Sequence, residues 1–385
     1  MHKRNNILIC ANDVTQIGGI SRVIHAMADG FSDRGYSVSL LGMNSVDREK
    51  SYTEQSNRAD QYEVIIPYTD NPPSRKQNLE KWSRMRGEAV GYLRRYFENV
   101  DFSDTIVIIL QVYVMEHLKE LDLPIGGDEG LAVLGMYHNS FKSCKDIGDL
   151  RRVKAAYSDI NRFYALTEGD RDMFACEGMT NASYMYNPVE LLSRPPVVPF
   201  AKRPKRAVYV GRFAKEKNVP KLVRAWAAVA KDYPEWSFDI YGVGPDESNI
   251  AREIFESGCT DSVSLLGPTQ NPEVVFSEAR LMLMGSDFEG LPVAIVEAGL
   301  CGTPSLVTDC CPGMSVLIED RKTGLIARDQ DMFDFESLLR EYLENDTMGL
   351  SYSSAVVPSM ERFSIEKIID AWEKEFALLG IGETY

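Results

Sequence analysis

One feature constrains the fold of this 385-residue chain more than any other. Short apolar runs, each too short for a helix, alternate with longer amphipathic stretches, and the series runs twice. The first series reads NILICA near residue 6, an amphipathic stretch from Gly19 to Arg34, then YSVSLLG, YEVIIPY, TIVIIL, LAVLGMYH and FYALT. Nearly continuous apolar strands separated by helices are the pattern of a parallel sheet buried on both faces. A turn-rich stretch, Asn187 to Arg206, follows with four prolines between Pro195 and Pro204, and it reads as a linker. The series then restarts with RAVYVGR, a helix from Asn218 to Lys231, SFDIYG, a helix near 247–257, SVSLLG, LMLMGS, a helix from Pro292 to Cys301, and PSLVTD. After a polar gap comes a last amphipathic helix, Ile365 to Leu379.

The expectation is an α/β protein of two Rossmann-like domains, 1–190 and 191–364, with residues 365–385 packing across the seam. Open sheets of this kind bind ligands outside the carboxyl ends of their strands, so the two are expected to face a shared cleft.

Charge and cysteine content narrow the partners. The 42 Lys and Arg against 57 Asp and Glu give a net charge of −15, which argues against nucleic acid as the main partner. Residues 1–200 carry 23 basic and 27 acidic groups, a net of −4, which leaves −11 for the remainder. No apolar run approaches the ~18 residues of a spanning helix, and the start MHKRNNILICAND turns polar too soon for a signal peptide. Seven scattered cysteines form no C-x-x-C pair, and a cytoplasmic protein with reduced thiols is expected. The vicinal Cys310-Cys311 reads as small residues in a turn before Pro312-Gly313, with redox activity as the alternative.

Three stretches carry chemistry. Ile17-Gly18-Gly19-Ile20 follows the first strand and opens the first helix, where glycines admit a close ligand and free N–H groups suit a phosphate. The alternative is a plain turn requiring positive φ. The dinucleotide fingerprint G-x-G-x-x-G is not matched, which disfavours a nicotinamide cofactor. In Val210-Gly211-Arg212-Phe213-Ala214-Lys215-Glu216-Lys217-Asn218, a fork donor and a point charge five positions apart can reach one diphosphate, unless both are solvated surface charges. No Walker motif is present. The third stretch, Ser286 to Ala298, sets Glu289 before a helix and Glu297 within its apolar VAIVEAGL. A buried Glu needs a partner, so Glu297 should be hydrogen-bonded, accept from ligand hydroxyls, or cap a neighbouring helix.

These residues resemble the retaining, family-4 glycosyltransferases of the GT-B fold. GGISRVIHAMADGFSDRGYSVSLL looks like that family's opening helix and second strand, VGRFAKEKNVPKLVRAWA like its second-domain start, and YGVGP, SLLGPTQN and SDFEGLPVAIVEAGLCGTPSLVTD follow in its order. The E-x7-E pair is Glu289 and Glu297. The resemblance implies that Arg212, Lys217 and Gly19 hold a donor diphosphate and Glu297 the ribose. Glu289 and the N–H groups of Gly290 and Leu291 would face the transferred sugar, and His138 would lie beside it. By itself His138 reads as a core or capping histidine. Two departures stand out: Asn218 replaces the usual Gly, which positive φ tolerates, and the loop DCCPGMSVL differs from the usual glycine-rich version.

The implied activity is transfer of a sugar, with retention, from a nucleotide diphosphate to a hydroxyl of a polysaccharide or lipid-linked glycan in envelope or extracellular glycan synthesis. UDP is the expected base on family frequency. No D-x-D pair closes any of the strands read above, so neither metal nor other cofactor is expected to be required. A nucleotide-sugar epimerase on the same scaffold and a non-catalytic scaffolding subunit are the rivals. Finally, residues 75–95 hold seven basic side chains against two acidic ones. They read as a solvated helix face, with peripheral contact to the inner face of a membrane or to an anionic acceptor as the alternative.

Overall fold

The computed structural model describes residues 4–15, 18–44, 61–68, 70–127, 129–191, 193, 198–328 and 332–382. Ile17 of the first glycine motif and residues 194–197 of the proline-rich stretch lie outside them. By its contacts the chain divides into two units, one of residues up to Pro188 together with those from Ile365 onward, the other Val189–Ser364.

The first unit runs β1 (Asn6–Ala11), α1 (Gly19–Asp33), β2 (Ser37–Gly42), β3 (Glu63–Ile65), α2 (Leu79–Phe97), β4 (Thr105–Ile109), α3 (Val112–Leu118), β5 (Ala132–Met136), α4 (Phe141–Asp146), α5 (Leu150–Tyr157), β6 (Arg162–Ala165), α6 (Glu168–Cys176) and β7 (Ala182–Tyr184). Its seven parallel strands lie in the order β3-β2-β1-β4-β5-β6-β7. Every residue of β4 and β5 is buried, as strands covered on both faces must be. Helix starts follow local chemistry. Asn78 accepts from the amide of Lys81 to begin α2, and Thr167 accepts from that of Asp170 to begin α6.

The second unit runs β8 (Arg206–Val210), α7 (Val219–Ala230), β9 (Ser237–Tyr241), α8 (Glu247–Glu256), β10 (Val263–Gly267), α9 (Pro272–Glu278), β11 (Leu281–Met284), α10 (Val293–Leu300), β12 (Ser305–Thr308), α11 (Pro312–Leu317), β13 (Gly324–Ala327), α12 (Phe333–Glu344) and α13 (Asp346–Met360). Its six parallel strands lie in the order β10-β9-β8-β11-β12-β13. Trp226 of α7 and Phe238 of β9 stand at 5.4 Å between ring centroids in its core. The sequence reading places only a polar gap before the last helix, but α12 and α13 fill that span. In α13 the buried residues are Gly349, Tyr352, Val356 and Met360, a stripe too narrow and too rich in small residues to show as a helical period.

The linker ends in a firm anchor. Arg203 is buried, and its guanidinium donates to the carbonyls of Val198, Ala279, Gly302 and Cys301 and to Thr303 Oγ1. The last helix, α14 (Ile365–Leu378), belongs by its contacts to the first unit. Gly30 of α1 lets the two helices close, because a Cβ there would stand 2.6 Å from side-chain carbons of both Ile365 and Ile369. Phe31 stacks on Phe376 at 5.8 Å, Tyr164 meets Trp372 at 4.8 Å, and Arg34 bridges to Glu373 at 2.9 Å.

Candidate active site

In each sheet the strand order reverses at one place, and loops leaving the carboxyl ends of the two strands there diverge to leave a ligand crevice. In the second unit that place lies between β8 and β11. The loop after β8 carries Arg212 and Lys217, and the loop after β11 carries Glu289. The two loops meet, for Lys217 Nζ donates to Glu289 Oε1 at 2.6 Å and the amide of Asp287 to the carbonyl of Glu216 at 2.8 Å. Lys221 bridges to Asp287 at 3.3 Å.

Two devices shape the first loop. Asn218 takes φ 53°, ψ 33°, the left-handed conformation that Asn tolerates, and turns the chain into α7. Gly242 and Gly244, after β9, leave room for the loop to lie against them: a Cβ would stand 1.9 Å from the Gly211 carbonyl oxygen in one case and 2.3 Å from that of Phe213 in the other. Tyr209 donates its hydroxyl to the Arg212 carbonyl at 3.0 Å. The Arg212 side chain stays largely exposed and pairs with Glu216 at 2.8 Å, so Arg212 and Lys217 share a loop while each holds a different carboxylate.

The second loop is clamped from β12 and the turn after it. Ser286 Oγ donates to Glu289 Oε1 at 2.6 Å, and Thr308 Oγ1 holds the Ser286 carbonyl at 2.9 Å. Cys311 Sγ donates to the Gly290 carbonyl at 3.3 Å, and a Cβ on Gly313 would strike that same oxygen at 2.0 Å. Glu289 is thereby buried with two donors on one oxygen. Among the described residues, nothing accepts from the amides of Gly290 and Leu291, which stand just before α10. Unbonded amides at a helix start are suited to an anion or a polarised oxygen. Glu297, two turns on, is buried, as its apolar neighbours require.

Sequence reading named the vicinal cysteines only as a turn or a redox pair. Both are buried free thiols, and Cys311 precedes α11 as its cap residue. The hydrogen bond to Cys311, together with burial, pushes the Cys310 thiol far up, so it is a poor nucleophile. The roles of Ser286 and Thr308 were not read. A Ser three positions before Glu289 was the available signal.

In the first unit, the strand order reverses between β1 and β4. Gly18 and Gly19 follow β1, and both are exposed. Gly18 has φ 171°, an extended value open to any residue, and a Cβ on either glycine would meet nothing within 4 Å. The plain turn requiring positive φ is therefore absent, and packing does not call for glycine either. His138 stands two residues beyond β5, and its Nε2 has no hydrogen-bond partner among the described residues. Burial pushes its pKa down to about 4, so the imidazole is neutral at physiological pH. Among the described residues, no helix is long and apolar enough to cross a membrane.

Residues 194–356 match the family model for glycosyl transferases group 1. An uncharacterized glycosyltransferase of Haemophilus influenzae is 23% identical over 363 residues, covering 94% of this chain and 97% of its own. The poly(glycerol-phosphate) alpha-glucosyltransferase of Bacillus subtilis is 24% identical over 227 residues, 58% of this chain and about a third (34%) of its own length. A crystal structure of S. aureus TarM, a variant in complex with fondaparinux, alpha-GlcNAc-glycerol and UDP, superposes with a TM-score of 0.80 at 15% identity over 97% of this chain and 99% of that one.

Proposed function

We propose that this chain, a glycosyltransferase of the GT-B fold with a glycosyl transferases group 1 domain over residues 194–356, moves a sugar from a UDP-sugar to a hydroxyl of a polysaccharide or lipid-linked glycan with retention of configuration. The observation that carries this reading is the meeting of Lys217, Glu289 and Ser286 at the strand-order reversal of the second sheet. The UDP in the TarM crystal supports the choice of base.

As the glycosidic bond breaks, negative charge grows on the leaving diphosphate. Arg212 and Lys217, which share one loop, are assigned to meet it, and Gly19 is assigned to the phosphate as well. Glu289 is assigned to the sugar, where its carboxylate orients hydroxyls and stabilises positive charge at the anomeric carbon. The amides of Gly290 and Leu291 donate to the same sugar, and Glu297 accepts from the ribose hydroxyls. His138, neutral, offers Nε2 as a hydrogen-bond acceptor to a sugar hydroxyl. The acceptor hydroxyl attacks on the face that the diphosphate leaves, and its proton passes to the departing phosphate oxygen. Two cations can thus do what a bound metal ion would otherwise do, and no metal is required in this reading.

Thermal stabilisation by UDP, GDP, ADP and CDP, each with magnesium and with chelator, tests it on wild type and on Arg212→Ala. A shift confined to UDP, kept in chelator and lost in the variant, is expected. No shift with any nucleotide would overturn the donor site. Conversion of donor without acceptor would point to an epimerase instead.

A further inference from the structure

We propose that Asn12 and Gln111, at the strand-order reversal of the first sheet, bind the acceptor's terminal sugar and select an uncharged, hydroxyl-bearing ring; this deepens the transferase reading above and rests on it. The reversal in the second sheet gathers Arg212, Lys217 and Glu289, the charged groups assigned to the donor. The reversal in the first sheet, between β1 and β4, is furnished instead with carboxamides. Asn12 follows β1 directly, and Gln111 stands two residues beyond β4. An open sheet takes its ligand at such a reversal, and a transferase has a second substrate to place.

Hydrogen bonds fix both residues and leave side-chain groups over. The Leu110 amide donates to the Cys10 carbonyl at 2.8 Å, and one step on the Asn12 amide donates to Gln111 Oε1 at 2.7 Å. From the other side the Asn44 amide donates to the Asn12 carbonyl at 2.8 Å. Asn12 is therefore held from the ends of β2 and β4 alike, which suits a preorganised site. Its Oδ1 is buried and has no hydrogen-bond partner among the described residues. Gln111 commits Oε1 to the Asn12 amide, and its Nε2 holds no partner among the described residues. One carboxamide thus offers an acceptor and the other a donor, on neighbouring strand ends. Buried polar atoms are nearly always bonded, so an open one calls for a ligand or a water.

The chemistry of the pair names the ligand class. A sugar hydroxyl both donates and accepts, so it can give its proton to Asn12 Oδ1 while it accepts from Gln111 Nε2. An ionised carboxylate or phosphate diester only accepts, and Asn12 Oδ1 would face it lone pair to lone pair. Arg86, the cation that reaches α3 just beyond Gln111, is already engaged with Glu120 at 2.6 Å, the Glu116 carbonyl at 3.1 Å and His117 Nε2 at 3.1 Å. Tyr113, half-buried two residues past Gln111, adds a phenol and an apolar ring face at the same edge.

Methyl glycosides of glucose, galactose and N-acetylglucosamine, with methyl glucuronide and methyl glucoside 6-phosphate as charged counterparts, are titrated into the protein with and without UDP and followed by saturation-transfer NMR. A neutral glycoside should bind wild type, and both charged counterparts about tenfold more weakly or worse. Gln111→Glu keeps the oxygen that takes the Asn12 amide but loses the donor. It should weaken the neutral glycoside about tenfold and leave the UDP-induced melting shift unchanged. Asn12→Leu fills the same space without the open oxygen, so its melting temperature should hold or rise while glycoside affinity falls by a similar factor. A purely structural or water-filled role would leave affinity unmoved in both variants, and that result overturns the proposal. Preference for a charged glycoside, or no binding of any neutral one, overturns it as well. Absence of a UDP shift in wild type would sink the transferase reading separately, because glycoside binding is also read without UDP.

Discussion

Lys217 and Glu289, 72 residues apart, share a contact of 2.6 Å, with the carboxylate buried and the ammonium only partly so. A diphosphate arriving at Lys217 would compete with that carboxylate, and the loser must find another partner. Ser286 already provides one for Glu289. Glu289→Gln should therefore keep the fold and cut kcat by about 10²–10³ with little change in the donor KM. Steady-state kinetics decide it, and unchanged turnover would remove Glu289 from the reaction. Lys217→Met should additionally cost about 1–3 kcal/mol of stability, because it strips a donor from a buried charge.

Gly19→Ala separates fold from function. The site has room for a methyl group, and alanine favours helix, so the melting temperature should hold or rise. The donor KM should rise about tenfold if the phosphate passes over this backbone, an effect of about 1.4 kcal/mol. Identical kinetics would return Gly18-Gly19 to an ordinary helix start.

Gly87→Ala in α2 should raise stability by about 0.5–1 kcal/mol, since glycine inside an exposed helix costs that much and nothing opposes the added methyl. Urea unfolding midpoints would show the gain.

Three of the four histidines, His25, His117 and His138, have pKa values lowered mainly by burial, His138 to about 4. The unfolded chain binds protons at these groups below pH ~6.5 while the folded chain does not. Their contribution is complete above pH ~6.5 and drains away as pH falls from there toward 4. Histidine ring signals followed by NMR should show no inflection near 6.5 for these residues. Unfolding free energy should fall less steeply between pH 6.5 and 5 in His138→Gln than in wild type.

Thiol labelling tests the clamp on the Glu289 loop. Cys176 is exposed, Cys301 is half-buried with its pKa pushed up to about 12, and Cys310 and Cys311 are buried. Peptide mapping after brief alkylation should find Cys176 modified first and the vicinal pair last. Cys311→Ala removes the donor on Gly290 and should lower kcat by several-fold, with the thiols elsewhere reacting as before.

All the strands but β7 and β13, and most long helices, could be read directly, because a fully buried parallel strand is an unbroken apolar run and α1, α7, α8 and α14 carry strong amphipathic periods; β7 is three half-buried residues and β13 only four. Glu289 and Glu297 stood out as carboxylates beside apolar sequence. Short-range patterns could not reveal what depends on distant partners. Arg203 lies in the stretch that reads as a linker, yet five acceptors from three segments hold its buried guanidinium. The clamp of Thr308 and Cys311 on the Glu289 loop spans about twenty residues and two strands, and no local period encodes it. The vacant surface of Gly18 and Gly19 is likewise invisible until φ and neighbours are known.

The packing of α14 on α1 also sets the order in which the protein can be completed as it is made. The groove around Gly30 and Phe31 is finished only by residues 365–378, whereas every strand of the second unit precedes them. A nascent chain can thus close its later-coded unit while its earlier-coded one still shows Phe31 and Tyr36 to solvent, and a ribosome stalled near codon 360 would release a protein with that aromatic groove bare.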